Sequence, residues 1–262
     1  MNLDLEVGLD ITVRIAAIGF ALSAIELFST RRHFGREGLF STDAIASFDL
    51  PRPVLNWADR YLKLLLLLQL IGSTVLIFTG PSTIIGRIAL PAAFLSALII
   101  RWRRCIGGDG AEQMGMLIFS AAMIAVLPWP SSGRVVIAVT FIAAQAGLSY
   151  LTAGIAKLTS PVWRNGTALP LILSTYDHGH PAAASLSRHY SAMSLLACWT
   201  VILFETLFPL LVLGPDWLLA LSLGVGLAFH IGCAVFMGLN NFLWSFPAAY
   251  PSLIAALAYW MR

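Results

Sequence analysis

Eight long apolar runs dominate the sequence, at 9–29, 61–80, 84–102, 112–129, 134–157, 192–213, 217–238 and 241–261. Each is close to the roughly 20 residues that a helix needs to cross the hydrocarbon of a bilayer. The breaks between them carry glycine, proline or charge, as in TGPSTIIG, RWRRCIGGDG, PWPSSG and LGPDW. Backbone polar groups cannot stay unpaired in hydrocarbon, so such runs must be helices or the strands of a closed barrel. They are continuously apolar rather than alternating with period two, which excludes a barrel. The expected fold class is therefore all-α, a polytopic transmembrane bundle of about eight helices. Residues 1–262 form a single integral membrane domain.

Composition agrees. Hydrophobic residues make up 58% of the chain and charged ones 11%, against about 25% charged in ordinary soluble domains. No segment is long and polar enough for a second, soluble domain. The net charge of +3 is small and the basic residues are scattered, so nucleic acid is excluded as a partner. Cys105, Cys198 and Cys233 are widely spaced and suit packing rather than a disulfide framework or a thiolate metal site. The acidic start, MNLDLEVGLD, lacks the features of a removable signal peptide, so the first apolar run is expected to be retained as a helix.

Two connections are long. Residues 30–60 are mixed and suit an interfacial helix, and within 158–191 the piece TALPLIL is too short to span, so it dips into the membrane or lies along it. Basic residues give an orientation. With the odd-numbered connections on one side, that side carries Arg31, Arg32, Arg36, Arg52, Arg60, Lys63, Arg101, Arg103, Arg104, Lys157, Arg164 and Arg188. The other carries Arg14, Arg87, Arg134 and Arg262. The positive-inside rule then puts the Lys157 side in the cytoplasm and both termini outside.

Ionisable groups at membrane depth cost about 2.5–3.5 kcal/mol each on insertion scales and need a reason. Arg14 and Glu26 share the first run but lie twelve residues apart, about 18 Å along a helix, too far to pair. Arg14 can snorkel, and Glu26 can pair locally with Arg31. Glu205, in WTVILFETLFPLLV, must face the interior, be protonated or meet a cation. His230, in GLAFHIGCAVFMG, is either a hydrogen-bonded structural histidine or a reactive one. In GGDGAEQMG, Asp109 can cap the fourth helix and Glu112 suits its first turn, beside a cluster of arginines. His178, His180 and His189 are metal ligands by type only, and the spacing is a loose signal. No nucleophile-elbow, zinc-protease, phosphate-loop or dinucleotide motif is present.

The stretch YLTAGIAKLTSPVWRNG, residues 150–166, asks the sharpest question. Tyr150, Gly154 and Lys157 lie at i, i+4 and i+7 on one helix face. Gly154 leaves room for another helix or a flat ligand to come close. Burial disfavours an ammonium, so a desolvated Lys157 can serve as a neutral base. The alternative is a lysine near a helix end reaching for the interface.

This stretch resembles the signature of the vitamin K-dependent gamma-carboxylase-like membrane domain, the HTTM domain, in which A-G-x-x-K-L ends a helix before a tryptophan and a glycine. GGDGAEQM and FHIGCAVFMGLNNFLW resemble two further stretches of that family, in the same order. The resemblance covers most of the chain and is nearest to the small bacterial SdpB-like branch. It implies a bacterial inner (plasma) membrane protein with a reduced quinone as cofactor (menaquinone or vitamin K-like), used with O2 and CO2. Lys157 would be the base toward that quinol and His230 a second residue of the catalytic pocket. Tyr150, Gly154, Trp163, Asp109 and Glu205 would line or hold the cofactor site. The family carries an Asn-His pair where this chain has Gly108-Asp109, and a large extramembrane domain that handles its protein substrate. It works on the lumenal side, opposite to the side that the charge count gives Lys157.

Three functions are thus expected to compete. The first is a quinol-dependent membrane enzyme acting on a peptide or protein during maturation. The second is a non-catalytic partner of membrane or secreted proteins in a peptide system. The third is a small transporter, which would show repeats and broken helices with paired charges; the sequence has no such repeat. In each case the lipid bilayer is the surrounding partner.

Overall fold

The first helix, α1 (Leu5–Ser29), starts where Asp4 accepts the Glu6 and Val7 amides at 2.8 and 3.3 Å, and Gly8 and Gly19 on it let later helices pack against its backbone. The computed structural model describes residues 3–34, 38, 40–41, 52–104, 108–176 and 179–261. All regular structure among them is helical. After α1 come α2 (Arg52–Thr79), α3 (Ile84–Arg104), α4 (Gly110–Val126) and α5 (Ser132–Thr159). Three short helices follow, α6 (Pro161–Arg164), α7 (Ala168–Ile172) and α8 (Pro181–His189). The chain closes with α9 (Ser191–Val212), α10 (Asp216–Met237), α11 (Asn240–Ser245) and α12 (Tyr250–Met261).

The all-α polytopic bundle expected from the runs is what forms. Counting α11 and α12 together, seven helices among the described residues are long and apolar enough to cross a membrane; α4, at 17 residues, is the short eighth. The second helix begins at Arg52, nine residues before its apolar run, so residues 52–60 extend a spanning helix; most of 30–51, where the rest of the expected interfacial helix would fall, lies outside the described residues. The last run is broken. Pro247 and Pro251 remove two backbone donors, and a 3₁₀ turn at Pro247–Ala249 separates α11 from α12.

Helix α1 is the central post and packs on α2, α4, α5, α11 and α12. Glycine sites make this possible: a methyl group on Gly8 would lie 2.6 Å from Ala255 Cβ, and one on Gly19 would lie 2.8 Å from Trp244 Cβ. Small residues do this in membranes, where helices gain nothing from burying apolar surface that lipid already covers. Phe20 stacks on Phe119 of α4 at 4.2 Å.

Several charged groups in the bundle are paired. Arg14 binds Asp10 at 2.5 Å and donates to the Ile77 and Phe78 carbonyls, tying α1 to the end of α2. The fully buried Arg103 holds Asp59 at 2.7 Å. Arg101 and Arg104 share Glu112 at 2.8 and 2.6 Å. Arg31 donates to the Phe28 carbonyl at 2.8 Å, with its guanidinium over the Phe28 ring.

Helix α10 is the loosest member of the bundle. It packs on α9 and α11, while Leu227, Ile231, Val235 and Phe236 face outward. Gly238, at φ +68°, ends it in the left-handed conformation that glycine adopts without strain.

Candidate functional site

Lys157 is the third residue from the end of α5, yet its amine does not reach outward. Its Nζ lies 2.6 Å from Glu205 Oε2. Glu205 is the fifteenth of the 22 residues of α9, about 21 Å along that helix from its start. The cation therefore sits about two thirds of the way along a spanning helix, and the pairing leaves no net charge in the apolar medium. Glu205 keeps 5% of its side-chain surface and Lys157 19%.

Two features of the sequence bring the pair together. Gly154 packs against α9, where an added methyl group would lie 2.8 Å from the Glu205 carbonyl carbon and press on the Thr206 amide. Pro209 lies inside α9, four residues after Glu205, and has no N–H to give the Glu205 carbonyl. The chain after α5 then folds alongside the first half of α9. Trp199 Nε1 donates to the Arg164 carbonyl at 3.1 Å and Ser194 Oγ to the Gly166 carbonyl at 2.6 Å. The piece TALPLIL, which forms α7, thus lies beside a spanning helix, with Ala168 buried.

About two turns before Lys157 on α5, a second polar chain begins. The Tyr150 hydroxyl lies 2.7 Å from His230 Nε2 on α10 and 2.7 Å from the Tyr250 hydroxyl on α12. A neutral imidazole has one donor and one acceptor nitrogen. If Tyr250 donates to Tyr150, and Tyr150 donates to Nε2, both hydroxyl protons are satisfied. Nδ1 then carries the imidazole proton. Nδ1 is buried and has no hydrogen-bond partner. The ring stacks on Phe246 at 5.1 Å, just before the break in the last run.

Both groups border one cavity of about 230 Å³ between α5, α9, α10 and α11. Its polar wall is Lys157, Glu205, Tyr150 and His230; its apolar wall includes Phe229, Phe242 and Phe246. The Trp163 ring also faces it, 5.2 Å from the lysine nitrogen, in cation–π range.

Five of the seven site residues read from the sequence thus meet here: Lys157, His230, Tyr150, Trp163 and Glu205. The other two do structural work. Gly154 faces α9, and the room it leaves is taken by a helix backbone. Asp109 caps α4, accepting the Glu112 amide at 2.7 Å. Among the described residues no cluster of three His, Cys, Asp or Glu side chains could hold a metal; His178 lies outside those residues. Sequence reasoning missed Tyr250 and Gly226. Gly226 is where the Tyr250 hydroxyl meets α10, and a methyl group there would also stand 3.3 Å from the Tyr150 hydroxyl.

Gly226→Ala is accordingly expected to destabilise the protein by about 1–2 kcal/mol. Alanine gains up to about 1 kcal/mol of helix propensity, but the buried hydroxyl chain loses hydrogen bonds worth about 1 kcal/mol each and is strained besides. Gly224→Ala in the same helix is the control, since nothing lies within 4 Å of its added methyl. Thermal unfolding in detergent should show a lower midpoint for the first variant and an unchanged or higher one for the second.

The chain matches no protein-family model, no curated protein and no solved structure.

Proposed function

We propose that the protein is an integral membrane enzyme that binds a quinol-type, lipid-soluble cofactor in this cavity and uses the Lys157–Glu205 pair as its base. One observation carries the reading: an ion pair and an unpartnered imidazole nitrogen share the wall of a single apolar cavity at membrane depth. Pockets with mainly apolar and aromatic walls and a few convergent polar groups are the usual form of cofactor sites. The donor set fits a reduced naphthoquinone, with aromatic rings for its plane and polar groups for its oxygens.

When bound, such a quinol supplies a weakly acidic hydroxyl and two electrons, for which O2 is the acceptor. Lys157 and Glu205, 2.6 Å apart, share one proton between them. With that proton on Glu205, the amine is a free base at the cavity wall. On taking up a second proton, the pair carries one net positive charge, and that charge holds an anion in place inside a medium of low dielectric. Trp163 covers the amine and limits the approach of water. His230 is fixed by Tyr150 and turns its Nδ1 toward a ligand oxygen.

The resemblance to the carboxylase membrane domain supports a role in peptide or protein maturation, with CO2 as a further reactant, in a bacterial plasma membrane. The excess of arginine and lysine around the Lys157 end favours the cytoplasmic side for that end, although the family analogy favours the opposite face. The test is oxidation of a naphthoquinol by the purified protein. Turnover that survives Lys157→Ala, or protein that neither binds nor oxidises the quinol, removes the reading. A non-catalytic partner would instead co-purify with other chains and be indifferent to this substitution.

A further inference from the structure

A second apolar cavity of about 430 Å³ adjoins the first. The two share Leu169, Val201, Phe229, Cys233 and Met237. From there the groove follows Met193, Ala197 and Val201 down α9, a stripe at i, i+4 and i+8 that ends one turn before Glu205. It is about 12 Å long on that helix. Gly232 and Phe236 of α10 form the opposite wall, with Leu173 beside α7. Met193 and Phe236 at the rim are 57% and 50% exposed, on surface that faces lipid.

The polar side chains in the groove are already used. Ser194 Oγ donates to the Gly166 carbonyl at 2.6 Å and Ser187 Oγ to the Ala184 carbonyl at 3.0 Å. A peptide strand would leave its own N–H and C=O groups unpaired there, at several kcal/mol per group. The groove therefore suits a flexible hydrocarbon chain. Its inner end, at Val201 and Phe229, adjoins the cavity that the ion pair and the imidazole line, so the chain and a polar head can belong to one molecule.

We infer that this groove holds the isoprenoid tail of the ligand whose head occupies the inner cavity, so that the ligand is a long-tailed quinone which enters sideways from the bilayer between α9 and α10. The inference rests on the quinol reading above and adds the ligand class and the route. Hydrocarbon gains nothing by leaving lipid for an equally apolar groove. The tail therefore guides and orients the head, and tail selectivity comes from packing.

Gly232 allows a test that separates the two claims. It borders the groove and not the inner cavity, and a side chain added there meets nothing within 4 Å. The full chain carrying Gly232→Cys and Cys233→Ser, in nanodiscs, is labelled with a lipophilic maleimide, and the labelled site is read by mass spectrometry. A naphthoquinone with several isoprene units is expected to slow labelling at least tenfold, and a tail-less naphthoquinone less than twofold. Gly232→Trp should raise the KM for the tailed quinol at least tenfold and leave that for the tail-less quinol unchanged. Equal protection by both quinones, or equal KM changes, overturns the tail assignment and leaves the head site standing. A labelling rate already blocked by phospholipid alone, unchanged by any quinone, gives the groove to an acyl chain and also overturns it. If neither quinol is bound or oxidised by the unaltered protein, the quinol reading itself falls and takes the tail with it.

Discussion

Lys157→Ala is expected to lower naphthoquinol oxidation by about 10²–10⁴-fold, the usual contribution of a positioned general base. The same change removes the cation from a carboxylate that is 5% exposed. Breaking a buried pair at one end costs about 3–5 kcal/mol, because the surviving charge has no partner. Part of the loss of turnover could therefore come from a weakened fold. The double variant Lys157→Met with Glu205→Leu separates the two effects. It replaces the pair by apolar side chains of similar size, which is commonly neutral or stabilising. Its thermal midpoint in detergent should return to that of the unaltered protein while quinol oxidation stays absent. Turnover at the original rate in the double variant would remove the pair from the chemistry. A Lys157→Ala protein with an unchanged midpoint would show that the pair does not hold α5 to α9.

Glu205 alone said that a partner was needed: a carboxylate in the middle of an apolar run has few ways to exist. It did not say which cation. Lys157 looked like a helix-end lysine because it is the last charge before a proline and a tryptophan, and on a straight, isolated α5 it would reach the interface. What turns it inward is long-range. Helix α5 meets α9 at Gly154, so its end lies about two thirds of the way along α9, and the short helices at 161–164, 168–172 and 181–189 follow it. That crossing is not encoded in the periodicity of either helix. The spans themselves were legible because length and apolar continuity are local properties. The start of α2 was less so, since residues 52–60 are mixed in polarity and are helical by continuity with the apolar turns that follow. Tyr250 escaped notice for a related reason. Inside a continuous apolar run nothing marks one tyrosine for a hydrogen bond, whereas the break at Pro247–Ala249 leaves its hydroxyl 2.7 Å from that of Tyr150. The unexplained group was His230, and the chain from Tyr250 through Tyr150 accounts for one of its nitrogens and leaves the other without a partner.

Gly154→Ala tests the crossing directly. Alanine is favoured over glycine in a helix by about 1 kcal/mol, so propensity alone predicts a more stable protein. Packing predicts the reverse. The added methyl would lie 2.8 Å from the Glu205 carbonyl carbon and against the Thr206 amide. These are backbone atoms of a helix, which cannot rotate away as the end of a side chain can. Overpacking of this kind costs about 1–3 kcal/mol and at times more, so the clash outweighs the propensity gain. The helices must then separate, and a contact of 2.6 Å between Lys157 and Glu205 has little room to lengthen before the pair is lost. The variant should therefore show a lower thermal midpoint together with quinol oxidation reduced at least tenfold. Gly154→Val should be worse on both counts, since its branched side chain adds volume at the same point. A Gly154→Ala protein as stable and as active as the original would mean that the close approach of α5 to α9 is not what sets the distance between amine and carboxylate.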